Sequence, residues 1–230
     1  MRYFFLSYAH GSSDHLVEEF FADLSGEVRE HAGRERQEEV GFLDRIHLHA
    51  GDRWPPTLIE ALQTCRTFIA LCSPRYFRSV PCGKEWGVFS RRLAADPWPG
   101  PPSPALIPLF WLPAEVPAHL SDLQYRDRSF GAPYAEHGLR KLLQLRKYRD
   151  DYLEFLASLA IRVTATAHAR NPPPLAPPPT FASAVNAFLP APPERNSPPR
   201  SATRPASTRG PRAKLPLVSY DETRDEDGYR

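Results

Sequence analysis

Short apolar runs alternate with longer amphipathic stretches along much of the chain. The runs at residues 3–8 (YFFLSY), 67–72 (TFIALC) and 105–111 (ALIPLFW) are apolar almost throughout, which is typical of strands buried on both faces. The segments between them carry apolar residues at helical spacing. Strands that alternate with helices in this way form a parallel sheet with helices on both faces, joined by right-handed crossovers. The sequence therefore predicts an α/β fold.

Weaker patterns complete the prediction. A short strand is expected at residues 40–43, and an edge strand at residues 123–125. Residues 134–168 carry leucines and aromatic residues at helical intervals, which predicts one long helix or two. A long loop, residues 46–56, separates the second strand from the next helix.

The composition changes after residue 170. From residue 171 prolines dominate (PPPLAPPP, PAPPER) and no helical or strand period remains. Such a segment lacks the apolar surface needed to fold and favours extended polyproline conformations. We therefore expect a domain at residues 1–170 and a disordered Pro/Arg-rich linker or tail at residues 171–230. The apolar residues 185–189 form a candidate docking patch within that tail.

Charge and cysteine content exclude several classes of function. The chain has 29 basic and 27 acidic residues, so no overall field directs it to nucleic acid or to an anionic membrane. Its three cysteines include no CxxC pair, which argues against a disulfide framework and suits a reducing compartment. No apolar stretch has the length needed to span a bilayer. We expect a cytoplasmic protein with no nucleic-acid partner and no membrane partner.

Familiar cofactor and metal motifs are missing from the sequence. It contains no GxGxxG, no GxxxxGK[ST], no GxSxG and no HExxH, which are motifs for dinucleotides, nucleotide phosphates, serine hydrolysis and zinc. His47 and His49 have no further ligand at metal-binding spacing. We therefore expect no bound cofactor and no metal site.

The helix after the third strand carries the most informative carboxylate. Ser79 is a candidate N-cap. Four apolar residues follow at helical spacing, Cys82, Trp86, Phe89 and Leu93. Glu85 lies at the margin of this stripe, one turn inside the helix, which is a common place for binding chemistry. The alternative, equally open, is a solvated residue that pairs with Arg92 or Lys84.

Loops at the carboxyl ends of parallel strands form the ligand crevice of an open sheet. The predicted loops are residues 7–14, 44–54, 73–81 and 112–117. If the first strand lies between the second and third, then Ser7, Tyr8 and Asp14 lie opposite Ser73 and the helix that bears Glu85. We therefore expect hydroxyl groups, a helix N-terminus and a half-buried carboxylate to face one cleft.

Three segments resemble the motifs of TIR domains, in the family's order and at its separations. FFLSYAH (residues 4–10) resembles the first-strand box. GFLDR and AGDRW (residues 41–45 and 50–54) resemble the second-strand motif and its loop, and FIALCSPRYFRSVPCGKEW (residues 68–86) resembles the third strand and the helix motif Ser-x-x-Cys-x-x-Glu. The chain is also similar to bacterial TIR-like proteins encoded beside a peptide-maturation system whose short peptides end in Phe-x-Ser.

The resemblance implies a flavodoxin-like fold, a five-stranded parallel sheet of order 2-1-3-4-5. It also implies one of two activities. TIR domains either contact other TIR domains in signalling assemblies or cleave NAD at the nicotinamide–ribose bond. We expect homotypic assembly with NAD as a possible substrate. A non-catalytic adaptor in a peptide-modification or defence pathway is equally open, because fold analogy does not establish activity.

Site residues follow from the same resemblance. In the cleaving members the glutamate of the helix motif is essential, and Glu85 occupies that position. Together with the crevice argument, the candidate binding residues are Ser7, Tyr8, Asp14, Asp44, Trp54, Ser73 and Cys82. Two departures affect the shape of the pocket, since Pro81 replaces the usual tryptophan and Trp86 follows the glutamate. A carboxylate in a dry pocket can stabilise an oxocarbenium-like ribose without a metal, and the nicotinamide leaving group needs no general acid.

Overall fold

Four parallel strands form the sheet at the centre of the protein. The computed structural model describes residues 1–11, 13–44, 54–98, 105–121 and 126–190. The strands are β1 (Phe4–Ser7), β2 (Gly41–Leu43), β3 (Thr67–Cys72) and β4 (Leu106–Phe110), in the order β2-β1-β3-β4. All neighbouring pairs are parallel. The order predicted for the first four strands is confirmed, and the predicted edge strand at residues 123–125 lies outside the described residues.

Helices cover both faces of this sheet, as predicted. They are α1 (Asp14–Ala32), α2 (Pro56–Thr64), α3 (Val80–Ala94), α4 (Ala132–His137), α5 (Leu139–Gln144) and α6 (Arg149–Ala169). Because successive side chains of a strand point to opposite faces, Leu6 packs with the core of α1 and α6, whereas Phe5 packs with the core of α2 and α3. The two central strands, β1 and β3, are therefore buried from both sides, whereas β2 and β4 are partly exposed.

The segment predicted as one or two helices contains three. The first break is at Gly138, whose φ of +79° is a conformation that favours glycine. A side chain there would also press on the carbonyl oxygen of Trp111. The second break is a 3₁₀ turn, Arg146–Tyr148, preceded by the extended residue Leu145. The apolar period continues through both breaks, so it could not reveal them.

Residues 171–190, which we call the C-terminal strap, pack against α2 and α3. They belong to the first compact unit, Met1–Ala191, so the boundary predicted at residue 170 falls inside this unit. The side chain of Gln63 donates to the carbonyl of Leu175 at 2.8 Å and accepts from its N–H at 3.1 Å. Side chains of the domain thus supply hydrogen-bond partners for the backbone of the strap, which has no regular secondary structure. Such contacts leave no periodic pattern in the sequence that could predict them. Residues 191–230, the rest of the predicted tail, lie outside the described residues.

Two glycines of α3 allow the strap to lie directly on the helix. The N–H of Ala187 donates to the carbonyl of Gly83 at 2.9 Å. A methyl group on Gly87 would overlap the backbone carbonyl of Val185, and one on Gly83 would overlap Asn186. The candidate docking patch at residues 185–189 therefore does contact the domain, at a helix face that only glycine leaves open.

An aromatic side chain anchors the same end of the strap. Phe188 is buried, and its ring centroid lies 5.3 to 5.8 Å from the centroids of Tyr76, Phe77 and Trp86. Aromatic pairs at this spacing are attractive beyond the apolar area that they bury. Phe188 therefore joins the strap to the helix and turn that carry the candidate site.

We expect Gly87→Ala to detach this end of the strap, because the added methyl group meets backbone rather than a side chain that could move aside. Chymotrypsin should then cleave after Phe188 much faster than in wild type, as measured by mass spectrometry. Gly26→Ala is the matched control, since nothing lies within 4 Å of the added methyl group and alanine in a helix interior stabilises by about 0.5–1 kcal/mol. Equal cleavage of the two variants would contradict the contact.

Candidate functional site

A buried hydrogen-bonded chain joins β1 to α3. The Ser79 hydroxyl accepts from the N–H of Cys82 at 3.3 Å, which confirms the predicted N-cap of α3. One turn later the carboxyl group of Glu85 reaches the end of β1, where Ser7 Oγ donates to Glu85 Oε2 at 2.6 Å. The hydroxyl of Tyr76 donates to Ser7 Oγ at 3.1 Å. These contacts hold the Glu85 carboxyl group in one orientation.

Glu85 is more buried than the sequence predicted. A half-buried carboxylate was expected, but only 1% of the residue is exposed. The alternative ion pairs are not made either. Arg92 lies two turns farther along α3 and donates to backbone carbonyls, and Lys84 Nζ donates to the carbonyl of Phe181. The helix carries both cations away from Glu85.

Burial and a second acid both disfavour ionisation of Glu85. Burial raises the pKa of Glu85 well above its usual range, and the neighbouring Asp44 raises it further through its charge and a side-chain hydrogen bond. Asp44 directly follows β2 and is 5% exposed. Two adjacent carboxyl groups in a dry site cannot both ionise easily. Burial and the neighbouring acid therefore both favour the protonated form of Glu85.

Cys82 is a structural thiol in this arrangement. Its Sγ donates to the carbonyl of Tyr8 at 3.3 Å. Burial, and after it the charge of Glu85, raises the pKa of the Cys82 thiol well above its usual range. The nucleophilic form of cysteine is the thiolate, so this cysteine links α3 to the loop after β1 and is not an activated nucleophile.

Trp54 lies where the strap crosses the domain. It is 4% exposed, and its ring centroid is 5.7 Å from that of Phe181, edge to face. Its indole Nε1 is buried and meets no acceptor within the described ranges. The strap therefore covers this candidate binding residue, while residues 45–53 of the loop before it lie outside the described residues.

The remaining candidates lie on the opposite side of β1. Tyr8, Asp14 and Ser73 line an open cleft of about 230 Å³, and neither Ser7 nor Glu85 is part of its lining. Successive strand residues point to opposite faces, so the side chains of positions 7 and 8 diverge. The structure thus divides the candidates into a buried group and a cleft group, where one shared cleft was expected.

Sequence reasoning missed Tyr76, and although Phe188 lies in the candidate docking patch at residues 185–189, its contacts were not predicted. Tyr76 follows Ser73 in the same turn, and its N–H donates to Ser73 Oγ at 3.1 Å, so the turn itself was a signal. No sequence pattern could have predicted the contacts of Phe188, because the aromatic side chains that it meets in the fold are more than 90 residues away along the chain.

Within the part of the chain that the structure describes, no group of three or more His, Cys, Asp and Glu side chains could hold a metal ion. His47 and His49 lie outside that part. None of the described helices combines the length and the apolar character needed to cross a bilayer.

Comparison with known proteins agrees with this architecture. A family model described as TIR domain matches residues 4–143, which is more than half of the chain. The match begins with β1 and ends within α5, so it includes the whole described sheet together with Ser7, Asp44 and Glu85. A search of curated proteins found no match. The chain belongs to the TIR domain family.

Proposed function

We propose that this TIR domain is a signalling module that self-associates and cleaves NAD at the nicotinamide–ribose bond once its Glu85 site opens. Family membership supports a signalling or adaptor role and contact with other TIR domains. The observation that carries the catalytic part is the 2.6 Å hydrogen bond from Ser7 to Glu85 at the carboxyl end of β1. Ligands of open parallel sheets bind at that end.

The described conformation is a closed form of the proposed site. A protonated carboxyl group attracts a developing ribosyl cation only weakly, whereas a carboxylate in a dry pocket attracts it strongly. Burial beside Asp44 favours the protonated form of Glu85, and the strap covers Trp54 and Trp86. Activity therefore requires the site to open enough for Glu85 to lose its proton and for NAD to enter.

In the open form, each residue has a definite task. The bond between ribose C1′ and the nicotinamide nitrogen breaks, and its electron pair leaves with nicotinamide as the pyridinium charge is neutralised. The Glu85 carboxylate stabilises the ribosyl cation, and Ser7, itself held by Tyr76, orients that carboxylate. Water adds to C1′ and releases a proton, so the products are nicotinamide and ADP-ribose.

We expect Glu85→Gln to lower nicotinamide release from NAD by roughly a hundredfold or more, because the variant keeps the size of the side chain and loses its charge. Release is measured with purified, concentrated protein, and light scattering of the same samples reports self-association. The control is Glu60→Gln, the same change at an exposed carboxylate of α2. Gly87→Ala, which loosens the strap, should release nicotinamide faster than wild type.

Equal rates for wild type and Glu85→Gln would remove Glu85 from catalysis. No release from either concentrated wild type or Gly87→Ala would favour the second candidate, a non-catalytic TIR adaptor. The raised pKa of Glu85 supports that candidate, since a buried carboxyl group bonded to Ser7 is well suited to joining β1 to α3. A heterologous partner in a peptide-modification or defence pathway, as in the bacterial proteins that the chain resembles, would then replace NAD.

For either role we propose the cytoplasm, where the three buried free cysteines would stay reduced.

A further inference from the structure

The open cleft lies on the face of the sheet opposite Glu85, beside α1. It has a volume of about 230 Å³ and adjoins the ends of β1, β3 and β4. The lining residues that matter here are Tyr8, Asp14, Ser73, Arg75, Trp111 and Arg140. Tyr8 and Trp111 belong to the core of α1 and α6, whereas Cys82 and Trp86 belong to the other core. The cleft and the Glu85 site are therefore separate.

Two arginines, Arg75 and Arg140, line this cleft. Arg75 Nη1 donates to the carbonyl of His10 at 2.8 Å, and the rest of its exposed guanidinium has no carboxylate partner among the described residues. Arg140 likewise forms no ion pair there, and its Nε is buried without an acceptor. A buried donor without a partner costs free energy, and guanidinium groups match phosphate oxygens in geometry and charge. The two guanidinium groups in the lining of the cleft therefore favour an anionic ligand.

The start of α1 adds to the positive potential. Ser13 occupies the N-cap position and lines the cleft, but its side chain makes no capping hydrogen bond. The first N–H groups of a helix of 19 residues carry a partial positive charge that favours phosphate. A methyl group on Gly11 would lie 3.0 Å from Arg75 Nη1, so this glycine leaves room for the guanidinium in its described position. Two side chains and a helix terminus thus converge on one space.

Asp14 and the size of the cleft narrow the class of ligand. One oxygen of Asp14 accepts from the N–H of Gly11 at 2.7 Å, and the other lies 3.4 Å from His10 Nδ1. A carboxylate beside a phosphate site repels a bare anion but accepts hydrogen bonds from hydroxyl groups. The volume of the cleft is below that of a pocket for a drug-sized ligand. The cleft is therefore too small for a dinucleotide. We propose that the cleft binds a phosphate monoester of a small sugar, with the phosphate on Arg75 and Arg140 and the hydroxyl groups on Asp14.

Calorimetric titration of the full chain with ribose 5-phosphate at low salt tests this proposal. Wild type is expected to bind ribose 5-phosphate, and Arg75→Gln and Arg140→Gln should each weaken binding about tenfold or more, since each variant loses a charge-assisted hydrogen bond to the phosphate. The matched control is Arg36→Gln, the same loss of charge at an exposed arginine outside the cleft. Because Arg75 is exposed, its variant should fold normally, and thermal melting checks both variants.

Ribose and inorganic phosphate are the comparison ligands. Ribose should not bind measurably, and inorganic phosphate should bind more weakly than ribose 5-phosphate. Binding of inorganic phosphate as tightly as ribose 5-phosphate would overturn the role of Asp14. No binding by wild type, or equal binding by Arg75→Gln, Arg140→Gln and Arg36→Gln, would overturn the site. Glu85→Gln should bind ribose 5-phosphate as wild type does, so this result stands or fails independently of NAD cleavage.

Discussion

Replacement of Arg92 by alanine is expected to destabilise the protein by about 3–5 kcal/mol, which is a large part of the stability of a typical domain. The residue is fully buried. Its Nη1 donates to the carbonyls of Leu62 at 2.7 Å and Cys65 at 2.8 Å, and its Nε donates to that of Pro173 at 3.1 Å. Nη2 donates to the carbonyl of Pro172. Alanine would leave these acceptors buried and unpaired, and each such group costs about 1–3 kcal/mol before the structure relaxes.

Urea denaturation measures this effect. Arg91→Ala is the control, because its side chain is exposed on the same helix and surface substitutions usually change stability by less than about 0.5 kcal/mol. The stability of Arg92→Lys should lie between those of Arg91→Ala and Arg92→Ala, because a lysine ammonium cannot reach all four carbonyls as a guanidinium does. Equal denaturation midpoints for Arg91→Ala and Arg92→Ala would show that Arg92 does not hold α2 and the strap together.

The stability of wild type relative to Glu85→Gln is expected to fall as the pH rises above 4.5, the usual pKa of a glutamate carboxyl group. The pKa of Glu85 is raised in the folded protein, first by burial and then by Asp44, from a usual value of 4.5. Above that value the unfolded chain loses the proton while the folded protein keeps it, so ionisation favours unfolding. The relative loss is about 1.4 kcal/mol per pH unit until the folded pKa is reached. Below the unfolded pKa, the stabilising contribution of the protonated group is fully present.

Denaturation of both proteins at several pH values provides the measurement. Glutamine cannot ionise and can donate its amide N–H to Asp44, so Glu85→Gln removes only the titration. The variant should be close to wild type near pH 4 and more stable than wild type near pH 8. Parallel stability curves across this range would mean that Glu85 ionises in the folded protein as it does in the unfolded chain. In that case the carboxylate would already be available to a ribosyl cation without any opening of the site.

The sequence by itself determined the elements that depend on neighbouring residues. Apolar runs such as residues 67–72 predicted strands, because a strand buried on both faces must be apolar at every position. Ser79 predicted the start of α3, because a hydroxyl before a helix accepts from its free N–H groups. The spacing of Cys82, Glu85 and Phe89 placed the carboxyl group on the sheet side of that helix. These are local rules, so they could be applied without knowledge of the fold.

Only the tertiary structure decided how those elements act together. The pKa of Glu85 is raised by burial and then by Asp44, which precedes it by more than 40 residues in the chain. The strap folds against the domain because Arg92 and the two glycines of α3 supply partners for a segment whose own composition predicts disorder. Arg75 and Arg140 meet in one cleft only because the ends of the parallel strands converge. Burial, pKa and unpaired charge depend on groups distant in the chain, and a local sequence pattern carries no information about which distant groups become neighbours.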